Sequence, residues 1–188
     1  MTPISVQRLS ADQRPTLLAH LFSLPAPDRW LRFGTVLPPR SIAAYVERLD
    51  FDRDAVFGVY DDDLSLAGAA HVAFEGPKAE IGLSVLPRRR RRGIARALFR
   101  RGAEHARNRA AAILCMQCLS ANTRIMRLAQ SLGMDMVSAG IETQARIELP
   151  EPSATSIAEE MVADTFATWG GALKAFLAGW RHRLTAAS

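Results

Sequence analysis

The chain has 188 residues, 48% of them hydrophobic and 23% charged, which is enough to bury one substantial core and favours one domain over two. No run approaches the roughly eighteen uninterrupted apolar residues of a membrane span. The opening MTPISVQRLSADQRP has no basic segment leading into an apolar stretch, so the sequence predicts a soluble, cytoplasmic protein.

In chain order, ISVQRL alternates and predicts a first strand, after which Asp12 is placed to cap a helix through QRPTLLAHLFSL that Pro25 and Pro27 end. RSIAAYVERL predicts a second helix, with Ser41 as N-cap and Ile42, Tyr45, Val46 and Leu49 on its apolar face. AVFGVYD and LSLAGAAHVAFE read as two strands joined by the acidic turn Asp61 to Asp63. Glu75-Gly76-Pro77 marks a further turn before the strand AEIGLSV, which runs up to Pro87.

The apolar run AAILCMQCLS predicts another strand, whose alternation sends Cys115 and Cys118 to opposite faces. That geometry argues against a redox pair or a metal site and predicts two buried structural thiols. Beyond Leu149, Pro150, Pro152 and Ser153 break the last strand. SIAEEMVADTFATW and ALKAFLAGWRHRL then read as two amphipathic helices joined at Gly170-Gly171. The expected organisation is therefore a domain over residues 1–150 and a helical extension over residues 151–188. Trp169, Phe176 and Trp180 of the extension would pack on the domain, cover the substrate mouth or form a homodimer contact.

The formal charge is +5 and the pI about 10.0, a balance that first suggests nucleic acid. The excess is nearly all arginine, however, and much of it is concentrated in Arg88 to Arg92, Arg96, Arg100 and Arg101, around Gly93. Such a cluster suits the phosphates of a nucleotide cofactor at least as well as a duplex; the bland reading for Arg100, Arg101, Arg107 and Arg109 is a solvated helix face. In RRRRRGIARALFRRGAEHARNRA, Ile94, Leu98, Gly102 and Ala106 share one helical face, so AEIGLSV feeds a glycine turn and then a helix. The first N–H groups of a helix have no internal partner and the dipole adds positive charge, so a pyrophosphate binds at such a junction. Gly93 and Ala95 let it approach the amides, and Arg90 and Arg92 add charge.

The stretch Val85-x-Pro87-x-x-Arg90-x-x-Gly93-x-Ala95-x-x-Leu98 resembles the acyl-CoA signature of GNAT acetyltransferases. Asn122-Thr-Arg-Ile125-Met-Arg-Leu128-Ala129-Gln-Ser-Leu132-Gly133-Met134 is similar to the Asn-led helix of the same family, with Met134 in place of its usual phenylalanine. Asp28-Arg-Trp-Leu-Arg32-Phe33, with the segment after it, resembles the GNAT domain of bacterial protein-lysine acetyltransferases. Together the resemblance covers roughly residues 3 to 150. It implies an α/β (α+β) fold: a single mixed, mostly antiparallel twisted sheet of about six to seven strands flanked by helices, here with extra C-terminal helices.

The resemblance also implies acetyl-CoA as cosubstrate and transfer of its acetyl group to a primary amine on a small molecule or a protein lysine; the absence of a long apolar run argues against a membrane partner, and the local clustering of the arginines argues against nucleic acid. It places the pyrophosphate on the amides around Arg91, Arg92, Gly93, Ile94, Ala95 and Arg96, and the pantetheine on the edge of Leu83 to Val85. Asn122 would hydrogen-bond the pantetheine or cap the next helix. A backbone N–H of Leu83 or Val85 would polarise the carbonyl. For the base, Glu80 matches the position of a catalytic glutamate in several members, against a solvated strand-end charge; His71 is the other candidate, against a packed, hydrogen-bonded histidine. The family commonly carries an acidic tyrosine where this chain has Ala129, so water, Ser131 or Cys118 would protonate the thiolate, or it departs unprotonated. The same gap admits a non-catalytic acyl-CoA sensor, and the arginine cluster leaves a nucleic-acid-binding protein as a further alternative.

Overall fold

The computed structural model describes residues 4–165. Seven strands, β1 (Gln7–Leu9), β2 (Ala55–Tyr60), β3 (Leu66–Glu75), β4 (Lys78–Val85), β5 (Ile113–Leu119), β6 (Asp135–Ala139) and β7 (Glu142–Glu148), form one sheet. Its order is β1-β2-β3-β4-β5-β7-β6. The helices are α1 (Arg14–Ser23), α2 (Ala26–Phe33), α3 (Pro39–Glu47), α4 (Ile94–Asn108), α5 (Thr123–Ser131) and α6, residues 154 to 165. Every neighbouring pair is antiparallel except β4 with β5. That parallel pair needs a crossover, which α4 supplies.

The expected mixed, mostly antiparallel sheet is thus present. The strand predicted at AEIGLSV, the helix after Gly93 and the hairpin across Asp61 to Asp63 all lie where the pattern put them. Alternation divides the core between the two faces of the sheet. Phe57, Val72, Ile81, Leu114 and Met116 pack against Leu98 and Phe99 of α4 and Ala129 of α5. Val56 and Ala69 point the other way, against Leu17 and Leu21 of α1 and Ile42 and Val46 of α3.

Four local expectations need correcting. Pro25 and Pro27 do not simply end a helix: α1 stops at Ser23, and Pro27 sits in the first turn of α2, where its missing N–H costs nothing. Helix α2 closes at Gly34 with φ 74°. The first helix is led not by Asp12 but by a 3-10 turn at Ala11–Gln13, where the Ser10 amide donates to Gln13 Oε1 at 2.9 Å. Helix α3 begins at Pro39, two residues before Ser41. Cys118 is buried, but Cys115 is only half-buried, on the face of β5 that it shares with the half-buried Ile113 and the exposed Gln117.

The described part of the extension packs on α4. Glu160 accepts from Arg101 at 2.8 Å, from His105 Nδ1 at 2.6 Å and from Asn108 at 2.6 Å, and Arg101 is buried by these contacts instead of facing solvent. The Gly170-Gly171 joint, the second C-terminal helix, Trp169, Phe176 and Trp180 lie outside the described residues. Among the described residues no helix is long and apolar enough to cross a membrane.

Candidate active site

Strands β4 and β5 pair only over Lys78 to Glu80 against Ile113 to Cys115. Past Glu80, β4 continues to Val85 along β3 while β5 continues along β7, so the two diverge and, among the described residues, no strand pairs with the β5-side edge of residues 81 to 85. A cavity of about 410 Å³ opens there. Leu83, Ser84 and Val85 of β4 form one wall, Asn122, Ile125 and Leu128 of α5 the opposite one, and Leu31 and Arg32 of α2 contribute from the other sheet face.

The cavity runs into the N-terminus of α4, where Gly93, Ile94, Ala95 and Arg96 line it. Gly93 is the N-cap with φ 82° and no side-chain cap. The amides of residues 91 to 96 have no backbone acceptor among the described residues, leaving a set of donors aimed at one place. A Cβ on Gly93 would meet only Ile4 Cδ1, at 3.4 Å, so the outer side of the turn is open. Arg91 stands at φ 61°, a conformation a non-glycine residue adopts at a cost and that turns successive N–H groups toward one concavity.

The arginines of the loop divide into two groups. Arg89 pairs with Asp61 at 2.5 Å and Arg90 with Asp28 at 2.7 Å. Arg96 donates to Ser131 Oγ at 2.7 Å. Arg91 and Arg92 make no ion pair among the described residues; Arg91 lines the cavity, whereas Arg92 is exposed and stands outside its wall. Asn122 accepts from the Ile125 amide at 3.3 Å, which is the capping role, and also lines the cavity.

On the face of β4 away from α4, the register sets Glu80 beside Ala73 and His71 beside Gly82. The two side chains therefore share a face as diagonal neighbours, roughly 7 to 8 Å apart between Cα atoms for such a pair. Glu80 is exposed, with no ion pair among the described residues. His71 is enclosed: its Nδ1 lies 3.0 Å from Tyr45 Oη and its Nε2 3.2 Å from Asp54 Oδ2. Burial, then the charge of Arg32, holds the His71 pKa below its ordinary value, against the pull of Asp54.

A model of the acetyltransferase (GNAT) family matches residues 20–134. The chain belongs to that family. Among solved structures, this acetyltransferase is similar in fold to the GNAT domain of S. lividans PAT, with TM-score 0.66, 16% identity and coverage of 77% of this chain and 89% of the other. It is likewise similar to yncA from Salmonella typhimurium, a protein solved with its cofactor acetyl-CoA, with TM-score 0.63, 17% identity and 81% and 98% covered. A ribosomal-protein-alanine N-acetyltransferase from Brucella melitensis aligns with TM-score 0.59, 18% identity and 77% and 99% covered. No curated protein matches the sequence. The family uses acetyl-CoA as cosubstrate.

Ala129, which the resemblance sets opposite a tyrosine of the family, lies away from the cavity. It is fully buried in the core under the sheet. Of the substitutes, Ser131 spends its proton on Leu128 O at 2.7 Å. The Cys118 thiol donates to Thr143 O at 3.2 Å, and burial pushes its pKa up.

The sequence reading missed several residues. Asp28 and Arg32, which the sequence marks only as part of a family resemblance and without a role, lie one turn apart on α2, with Asp28 in its first turn and Gly34 just past its end. Tyr45 and Asp54 reach the site through contacts far apart in sequence. His20 was also missed: Nδ1–H donates to Leu66 O and Nε2 accepts from Ser84, both at 2.9 Å. Burial above all, with Arg32 adding, keeps its pKa low.

Proposed function

We propose that this acetyltransferase moves the acetyl group of acetyl-CoA directly to a primary amine of a small molecule or a protein, acting in the cytoplasm. The observation that carries this reading is the open edge of β4, residues 81 to 85, running into the partnerless amides at Gly93. The residues fit the cosubstrate: an extended strand edge suits the amide-bearing pantetheine arm, and a helix N-terminus flanked by arginines suits a pyrophosphate. Leu83 and Val85 would hold the arm, and Arg91, Gly93, Ile94, Ala95 and Arg96 the phosphates. Acetyl-CoA supplies the thioester whose C–S bond breaks as the acceptor nitrogen bonds to the acetyl carbon.

The chain's own groups divide the remaining work. A β4 amide, of Leu83 or Val85, polarises the carbonyl. Glu80, free in solvent at the point where β4 and β5 part, takes the amine proton directly or through water. His71, with both ring nitrogens engaged, holds Tyr45 in place more readily than it exchanges a proton with an acceptor. The thiolate is left to solvent, which is feasible because a thiol with a pKa of about 8.5 is a good leaving group. Mass-spectrometric detection of an N-acetylated amine after incubation with acetyl-CoA tests the reading, and a chain that leaves every amine in the mixture unmodified contradicts it.

A further inference from the structure

On the acceptor side of the cavity stands a cation that the transfer chemistry does not use. The Arg32 guanidinium lies flat over Gly82: a Cβ built there would sit 2.7 Å from its Cζ, Nη1 and Nη2. It packs 5.2 Å from the centroid of Phe33 and 5.9 Å from that of Tyr45. One nitrogen, Nη2, donates to Tyr45 Oη at 3.2 Å. Tyr45 is held in turn by His71, and His71 by the buried Asp54. This chain of contacts fixes the guanidinium in one place, as a recognition group requires.

Arg32 has no carboxylate within salt-bridge reach among the described residues. Asp28, the acid one turn before it, is committed to Arg90 and Arg124, and Asp54 pairs with Arg53 and His71. The nearby histidines, His20 and His71, both have lowered pKa values, with Arg32 among the causes. A planar fork of donors, stacked on aromatic rings and lining a cavity, is the arrangement that recognises a carboxylate. Position separates it from the phosphate site, since it overlies the middle of β4 and not the Gly93 turn.

Resting on the transferase reading, we infer that the acceptor is a small amine that also carries a carboxylate, a free amino acid in the broad sense, and that Arg32 binds that carboxylate. The amine then lies toward Glu80, two residues back on the same face of β4. The carboxylate pairs with Arg32 in bidentate fashion while the tyrosine contact is kept.

Binding tests this without requiring turnover. Free α- and ω-amino acids and their matched amides are titrated calorimetrically into the full chain, with and without saturating CoA. Binding of at least one acid, with the matched amide weaker by about thirtyfold or more, is expected, the low end for removing one partner of a desolvated charge pair. Arg32→Gln should erase that preference. Gly82→Ala should do the same, because its Cβ would occupy the place of the guanidinium and push it off the strand, and circular dichroism of both variants should match the wild type. Acid and amide binding alike, neither binding, or a preference that survives both substitutions would overturn the proposal. Binding only of a peptide that carries lysine beside glutamate would overturn the small-molecule assignment. A preference for acids that depends on Arg32, with no acetylation of any of them, would sustain the carboxylate site and defeat the transferase reading.

Discussion

Glu80 and Cys115 form the last register pair between β4 and β5, so the carboxylate stands where the two strands begin to part. Glu80→Gln keeps the size of the side chain and removes its capacity to accept a proton. Turnover of an amine acceptor should fall by about a hundredfold in kcat/KM, the lower end for a general base, and the acid limb of the pH–rate profile should change. Acetyl-CoA affinity should stay the same. Steady-state kinetics across pH, with calorimetry on the same variant, checks both halves.

Gly93 combines a left-handed φ of 82° with open space on its outer side. Gly93→Ala should therefore cost roughly 1 to 2 kcal/mol through the backbone alone, read as a lowered denaturation midpoint. Gly93→Glu places a carboxylate among the amides expected to face the pyrophosphate, and should abolish acetyl-CoA binding while the circular dichroism spectrum stays native. Unchanged affinity in calorimetry would move the phosphates away from this turn.

Ala129 offers no room for a tyrosine. Its surroundings are core side chains and its exposure is zero, so restoring the hydroxyl common in the family forces extra volume into a close-packed interior. Ala129→Tyr should destabilise the fold by about 1 to 3 kcal/mol or more and should not raise turnover. Chemical denaturation and acetyl-transfer rates measured side by side decide this.

As secondary structure, the half of the site proposed to hold the cofactor was largely legible in the sequence. Its signals are local: a strand, a glycine turn and a helix in series, with Asn122 opening the helix that faces them. The acceptor half was not, because Arg32, Tyr45, His71 and Asp54 come from α2, α3, β3 and the loop before β2, and only the sheet register brings them together. Helix α2 was hidden by Pro25 and Pro27, which read as terminators until the chain is seen to restart a helix with only two residues separating it from α1. The burial of Arg101 could not be read from α4 alone, since its partners Glu160 and Asp164 lie about sixty positions later in the chain. Ala129 shows the converse case, where the motif marks a residue as catalytic by position while its burial in the core depends on packing that the motif does not carry.

Glu160 makes the attachment of α6 depend on pH. Burial alone would raise its pKa, but hydrogen bonds from His105, Asn108 and Arg101 outweigh it and bring the value from 4.5 down to about 2. A depressed carboxylate stabilises the fold above its unfolded pKa and loses that contribution as the pH falls through the folded one. Stability should therefore decline between about pH 4.5 and pH 2. In Glu160→Gln that part of the decline should be absent, alongside a lower stability at neutral pH. Thermal unfolding midpoints of both proteins over this range provide the check.

The most direct test of the account measures acetyl-CoA affinity and thiol release on one sample, over a panel of primary amines that includes free amino acids. Acetyl-CoA should bind, and at least one amine should trigger release of free thiol with appearance of its N-acetyl product. Tight binding with no release across the panel would contradict acetyl transfer and leave an acyl-CoA-binding protein. Absence of binding would contradict the site itself.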